Sequence, residues 1–332
     1  MNDAVVATKP KAGFDYKKFL SNWGSVLALI IIFVFFAVTM PKTFLSPGNI
    51  VTILRSISVT TTIAIGLTIT LAVGGFDLSA GSLASWAGVL IISFFTWHQV
   101  GMWLSIPLTI LAAIITNLLA MLLIVRFKVP DLLATLAMMF MLDGLSLTYS
   151  GGGALSQGMP RADGSPTFGK IPEAFKSMGQ APTIIIIMIV VVLLAHIFLT
   201  YTKYGRFIYA TGENKEAARL SGIPVQRYRL FAGILATFFI ALGGILVASR
   251  NMSAQIQGAA GFSMPAISAV FIGRSIAGAE KPNAIGTFIG AALVGILENG
   301  LIMMSVPYYS LDMVKGIVLA VALASAYSSA RR

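Results

Sequence analysis

Long apolar runs separated by short polar joints occupy almost the whole chain. A membrane-crossing helix needs about 20 mostly apolar residues. On that measure the pattern predicts about ten spans, at residues 22–40, 50–73, 78–97, 103–125, 130–149, 182–201, 228–249, 261–279, 283–304 and 311–328. Two joints are long. Residues 150–181 are rich in Gly, Pro and Ser and read as an external loop, whereas residues 202–227 are charged and read as a cytoplasmic one. Residues 1–21 then form a cytoplasmic N-terminal segment, and 22–332 a single transmembrane domain. The run Val26–Met40 follows Lys9, Lys11, Lys17 and Lys18 as in a signal peptide, but it ends without a small-x-small cleavage site and reads as a retained anchor.

Composition agrees with a lipid solvent. Of 332 residues, 57% are hydrophobic and 11% charged, against about 25% charged in soluble domains. The expected class is an all-α polytopic membrane protein. A net charge of +11 raises the question of nucleic acid, but Lys and Arg lie in short clusters between apolar runs, which excludes a nucleic-acid stripe. With the N-terminus inside, sixteen of the 23 Lys and Arg fall on the cytoplasmic side. Five (Lys42, Arg161, Lys170, Lys176 and Arg250) fall outside, and Arg55 and Lys315 lie within or near spans. This asymmetry predicts ten spans with both termini cytoplasmic. The chain has no cysteine and only His98 and His196, so disulfides, thiolate chemistry, a metal site and a cofactor are not expected.

An internal echo accompanies this plan. Gly75–Ser82 resembles Gly261–Ser268, each at the start of a predicted helix, the third and the eighth. An offset of five helices turns one copy over relative to the other, which predicts two inverted-topology halves of the kind transporters rock against each other.

The most informative local feature is Val73-Gly74-Gly75-Phe76-Asp77-Leu78-Ser79-Ala80-Gly81-Ser82. Paired glycines interrupt the helix, and Asp77 or Ser79 is placed to cap the next one. Interrupted backbone at membrane depth survives where protein or a watery cavity surrounds it. Gly74, Gly75, Phe76, Asp77, Ser79 and Ser82, with Phe262 and Ser263 of the second copy, are therefore candidates for the solute path; the other reading is a tight capped turn. Asp143, Glu298 and Lys315 are ionisable residues in apolar runs and should face the bundle interior. Glu298 and Lys315 are expected to pair. Gly286, Gly290 and Gly295 permit close helix contact.

In the charged joint, Gly212 and Gly222 bracket a run of helix formers that Pro224 ends. The expected two-turn helix is too short to stand alone in water and calls for a docking partner. Its candidate contact residues are Gly212, Glu213, Asn214, Glu216, Ala217, Ala218, Arg219, Leu220, Ser221, Gly222 and Ile223.

These motifs resemble those of the ribose-permease-like membrane subunits of bacterial ABC sugar importers, over nearly the whole chain. Gly74–Ser82 is similar to the family's GG-I-DLS-x-GS signature, with Phe76 in the aliphatic position. Val129-Pro130 through Thr135-Leu136 and Ser150-Gly151-Gly152 resemble its next block, with Asp131 where a proline or small residue is usual. Gly205–Ile223 resembles GR-x-x-YA-x-G-x-N-x-x-AA-x-x-SGI, with Glu213 in a glycine position. Ile272–Ala279 is similar to IGG-x-S-x-x-GG, with Arg274 and Ala279 replacing the second glycines, and Val314-Lys315-Gly316 also fits. The resemblance implies a permease of the bacterial inner membrane that carries a monosaccharide. It implies an ABC ATPase subunit docked on the cytoplasmic helix, an external sugar-binding protein, and a second permease copy, identical or related. No G-x-x-x-x-G-K-[ST] loop is present, so ATP is expected to be handled elsewhere. Two other readings are an ion-coupled secondary transporter of a small polar solute, which needs an intramembrane carboxylate, and a membrane enzyme or scaffold, for which no catalytic constellation stands out.

Overall fold

The computed structural model describes residues 16–274, 281–307, 309–311, 313–314 and 316–317, with side chains from Trp23 onward. The chain is mostly helical. Helices α1 (Tyr16–Thr39), the short α2 (Pro41–Phe44), α3 (Pro47–Ala72), α4 (Ala80–Thr96), α5 (Met102–Val125) and α6 (Asp131–Ser150) come first. A two-residue strand β1 (Leu155–Ser156) and α7 (Glu173–Met178) fall in the long joint. The remaining elements are α8 (Thr183–Tyr201), α9 (Lys203–Glu213), α10 (Lys215–Leu220), α11 (Val225–Asn251), strand β2 (Ser253–Ala254), a 3-10 turn at Ala260–Phe262, α12 (Ser263–Arg274) and α13 (Ala284–Met303).

Among the described residues, six helices are long and apolar enough to cross a membrane: α3, α5, α6, α8, α11 and α13. Shorter apolar helices cover Trp23–Thr39 and Ala80–Thr96. Each lies on a span expected from hydropathy. The expected span 261–279 starts as α12, and its end lies outside the described residues, as does most of 311–328.

Burial sorts the helices into a centre and a rim. The apolar windows of α3, α11 and α13 are 67%, 61% and 61% buried, against 28% for α5 and α6. The central helices α3, α4, α11, α12 and α13 pack on one another. The rim helices α5, α6 and α8 turn outward such residues as Leu111, Ile115, Phe140, Ile186, Ile189 and Leu193, which is tolerable only against lipid or a partner.

Small residues set the closest approaches. A Cβ on Gly273 would meet the Gly286 backbone, and one on Gly290 would meet the carbonyl of Ala269, so α12 and α13 touch backbone to backbone. Gly295 faces the side chain of Ile57. The hydroxyls of α3 bond back to their own helix: Ser58 to Leu54 O, Thr62 to Ser58 O and Thr68 to Ala64 O.

The 150–181 joint is folded rather than loose. β1 pairs antiparallel with β2, Leu155 opposite Ala254. Ser249 Oγ donates to Phe175 O at 2.5 Å, and Arg55 donates to Gly179 O at 3.3 and 3.2 Å. The joint thereby seals one end of α3, α4 and α11. At the opposite end the 202–227 joint contains two helices where the sequence predicts one. Gly212 does not bracket the short helix; it lies in the last turn of α9, a helix with a strongly one-sided apolar face.

Candidate functional site

The turn between α3 and α4 is built from its glycines outward. Gly74 has φ of +73°, the left-handed conformation that lacks a steric penalty only in glycine. Its N–H donates to Leu71 O at 3.0 Å and that of Gly75 to Thr70 O at 2.9 Å, the paired bonds that close a helix end. The chain then leaves the helix through Phe76 to Asp77. Asp77 Oδ1 accepts from Ser79 N at 2.8 Å and from Ser79 Oγ at 2.6 Å. The carboxylate thus locks the turn, and α4 has no side-chain cap, contrary to the capping role expected for Asp77 or Ser79. Asp77, Ser79 and Ser82 are buried. Leu78 N donates to Thr135 Oγ1 at 3.2 Å, and that hydroxyl donates to Asp131 O at 2.8 Å, which stitches the turn to the first turn of α6.

The 202–227 joint is capped at each stage. Thr202 Oγ1 accepts from Gly205 N at 3.1 Å to start α9. Asn214 Oδ1 accepts from Glu216 N and Ala217 N, both at 3.0 Å, to start α10. Gly222, with φ of +81°, ends it through Ile223 N to Ala218 O and Gly222 N to Arg219 O. Asn214, Glu216, Ala217, Arg219 and Leu220 are exposed, and Leu220 is 83% exposed. Ala218 is buried against its own chain, so it does not belong to the outward surface on which the sequence placed it.

These two segments meet at their glycines. A Cβ on Gly74 would lie 3.0 Å from Gly212 Cα and O, and one on Gly212 would lie 2.8 Å from Gly74 N and overlap Ala72 O. A cavity of about 590 Å³ opens beside this contact, lined by Gly74, Phe76, Tyr209, Gly212, Phe271 and Arg274. The Phe76 and Phe271 rings stand 6.5 Å apart. The rim is tied by Tyr209 Oη donating to Pro282 O at 2.6 Å, by an ion pair of Lys281 with Glu213, and by the Lys281 ammonium 5.9 Å from the Tyr209 ring. Burial pushes the Tyr209 phenol up to about 12.

On the other side of the turn, Arg229 Nη2 bonds both oxygens of Asp131, at 2.5 and 2.6 Å. The pair is mostly buried and joins the start of α6 to the second turn of α11. A cavity of about 50 Å³ behind it is lined by Thr70, Asp77, Asn117, Asp131, Thr135 and Arg229.

The second copy of the echo lies against the first. A Cβ on Gly81 would overlap Ser263 Oγ and lie 3.2 Å from Ala260 Cα, while Ala259 N donates to Ser85 Oγ at 2.9 Å. The starts of α4 and α12 therefore converge, with Ser263 against Gly81 and the preceding loop against Ser85. Of the ionisable candidates, Asp143 and Glu298 are half-buried rather than fully buried. Asp143 Oδ2 accepts from Nε2 of the exposed Gln257 at 2.9 Å. Lys315 lies outside the described residues, and with it the expected Glu298–Lys315 pair. Among the described residues no group of three or more His, Cys, Asp or Glu converges as metal ligands would.

Sequence reading assigned no role to Tyr209, Arg229 or Thr135, although Tyr209 and Thr135 fall within the motifs it matched; only a partner distant in the chain reveals what each one does. Asp131 stood out in the sequence solely as a departure from the family pattern.

Residues 49–323 match the family described as branched-chain amino acid transport system / permease component. The chain is 32% identical to the ribose import permease protein RbsC of Haemophilus influenzae over 312 residues, 94% of this chain and 95% of that protein. It is 31% identical to RbsC of Escherichia coli K12 over 320 residues, 96% and 98% of the two chains. It is 27% identical to the L-arabinose transport system permease protein AraH of Escherichia coli K12 over 323 residues, 95% and 93%. An end-to-end match of this kind, joined to a bundle of apolar helices, places the chain in the branched-chain amino acid transport system / permease component family, among its ribose-permease-like members.

Proposed function

We propose that the chain is the membrane-spanning subunit of an ATP-driven importer for a monosaccharide of the pentose or hexose class. It crosses the inner membrane about ten times in two inverted halves, with both termini in the cytoplasm. A second permease copy, identical or related, completes the pathway. An external binding protein delivers the sugar, and a separate ATPase subunit hydrolyses ATP. The names of relatives that match along almost their whole length support the sugar class.

The observation that carries the mechanism is the contact of Gly212 with Gly74. The exposed side of α10, formed by Glu216, Ala217, Arg219 and Leu220, is the surface for the ATPase. α9 continues from it and ends against the turn that holds Phe76 and Asp77. Movement imposed on α10 reaches that turn through backbone alone, without a flexible side chain between. The turn, with Ser79, Ser82, Phe262 and Ser263, lines the sugar path.

Uptake of labelled D-ribose and L-arabinose into cells expressing the chain with its ATPase and binding protein tests this reading. Import that stops when the ATPase is inactivated supports it. Import that persists without ATP hydrolysis but collapses with the proton or sodium gradient would replace it with a secondary transporter.

A further inference from the structure

Three buried polar atoms around the middle of α4 and α6 have no protein partner: Trp86 Nε1, Asp143 Oδ1 and Ser146 Oγ. Trp86 and Ser146 are 5% and 1% exposed. Buried indole and hydroxyl groups ordinarily find a partner, so three orphans in one region call for a reason.

Helix register shows that they share one level. α4 and α6 are tied at two heights, by Leu78 N to Thr135 Oγ1 and by Ser93 Oγ to Tyr149 Oη at 3.1 Å. Both ties have nearly the same offset along the two chains, so the helices run parallel and in step. Between the ties Trp86 falls level with Asp143, and Ser146 follows one turn later on the same face of α6. The Trp86 ring meets Tyr149 edge-on at 5.6 Å. The loop after β2 enters at this level too: Ala259 N reaches Ser85 Oγ, and Gln257, held at φ of +60°, donates to Asp143 Oδ2. The exposed Gln257 and half-exposed Asp143 form an open rim to an otherwise closed polar locus. A carboxylate open at the depth of an apolar helix belongs against water or protein rather than lipid.

We propose that Trp86, Asp143, Ser146 and Gln257 form a contact site for a neutral polyhydroxylated solute on its way through the chain. This rests on the sugar-importer reading above and locates the sugar on the α4–α6 side of the convergence of α4 with α12. The carboxylate accepts from sugar hydroxyls, the indole N–H donates to one, the Ser146 hydroxyl does either, and the indole face covers the apolar side of the ring. No cationic side chain belongs to the set, so it takes an uncharged sugar and rejects its phosphate ester.

The chain contains no cysteine, so Ser146→Cys gives it its one thiol, and modification is read on this chain after it is separated from its partners. With the full transporter in turnover, a small charged methanethiosulfonate reagent should modify Ser146→Cys. D-ribose or L-arabinose, whichever is imported, should slow that modification, and ribose 5-phosphate should not. Ala87→Cys, in the closed core one residue from Trp86, should stay unmodified. Trp86→Phe and Asp143→Asn should lower uptake on the order of tenfold, as expected for a lost hydrogen bond to the solute, with unchanged binding to the external protein and unchanged ATPase co-purification. A thiol at Ser146 that never reacts, or reacts at a rate indifferent to sugar, overturns the site even if Trp86→Phe fails to reach the membrane. Full uptake by both variants overturns it as well. A wild-type transporter that imports neither sugar instead defeats the importer reading and takes the site with it.

Discussion

Gly74 and Gly212 touch backbone to backbone, one in the turn after α3 and the other in the last turn of α9. A Cβ on Gly74 would sit 3.0 Å from Gly212 Cα. Gly212→Ala places a methyl group into the carbonyl of Ala72 and must push α9 off the turn. ATP-driven uptake should fall by at least about tenfold, while the amount of chain in the membrane falls far less, because the clash is confined to the end of α3 and the last turn of α9. Gly74→Ala should behave similarly and carry a further strain of about 1–2 kcal/mol from its left-handed backbone. Uptake normalised to membrane abundance reads both; normal uptake by Gly212→Ala would mean that the contact transmits nothing.

The two ion pairs flanking this contact should differ sharply in strength. Asp131 and Arg229 are shielded, with side chains 19% and 15% exposed, and removing either partner leaves a buried charge. Asp131→Asn or Arg229→Gln should destabilise the chain by about 3–5 kcal/mol, and Asp131→Leu combined with Arg229→Met by less than either single change. Glu213 and Lys281 are more than half exposed, so Lys281→Ala should cost under about 1 kcal/mol. Unfolding of the detergent-solubilised chain separates the two cases.

The surface of α10 predicts a division of labour between neighbouring residues. Leu220 projects outward and Ala218 packs inward. Leu220→Asp or Ala217→Trp should abolish association with the ATPase and leave the isolated permease as stable as before. Ala218→Leu should overpack the joint and destabilise the chain by about 1–3 kcal/mol. Co-purification together with thermal unfolding distinguishes these outcomes.

Tyr209 gives the cytoplasmic rim an alkaline limit. Its phenol is pushed up to about 12 by burial, from an unfolded value of about 10. The folded state therefore holds this proton more tightly than the unfolded state. Its contribution is fully present below about pH 10 and is lost as pH rises toward about 12. The difference between wild type and Tyr209→Phe should isolate the phenol, with the variant showing the flatter stability profile between those limits.

Hydropathy located the long helices because lipid-facing and buried sides are both apolar, so span length alone carries the signal. It did not find α9, whose glycines and charged residues read as loop until Ile208 and Thr211 are seen to be buried. The Gly74–Ser82 motif was legible as an interruption. Its lock, Asp77 on Ser79, lies within two residues, yet the sequence suggested a helix cap because the same residue types serve both purposes. The Asp131–Arg229 pair was illegible, since nothing local to either residue points across to the other. The echo between Gly75–Ser82 and Gly261–Ser268 was visible as a repeat; that its copies touch at Gly81 and Ser263 is a property of the fold alone.

The threonines and serines of α3 have a mechanical consequence. Ser58, Thr60, Thr62, Thr68 and Thr70 each donate to the carbonyl one turn back. A hydroxyl turned back on its own helix offers no latch to α8, α11, α12 or α13 around it. Among the described residues of its buried stretch, Thr68 Oγ1 with Thr287 Oγ1, at 2.7 Å, is the side-chain link to a neighbouring helix. Its polar ties to the rest of the chain thus gather at a few points, Thr68 with Thr287 in the buried stretch and, nearer its start, Asn49 with Asn299 and Arg55 with Gly179 O, and between them shape alone holds the helix in register.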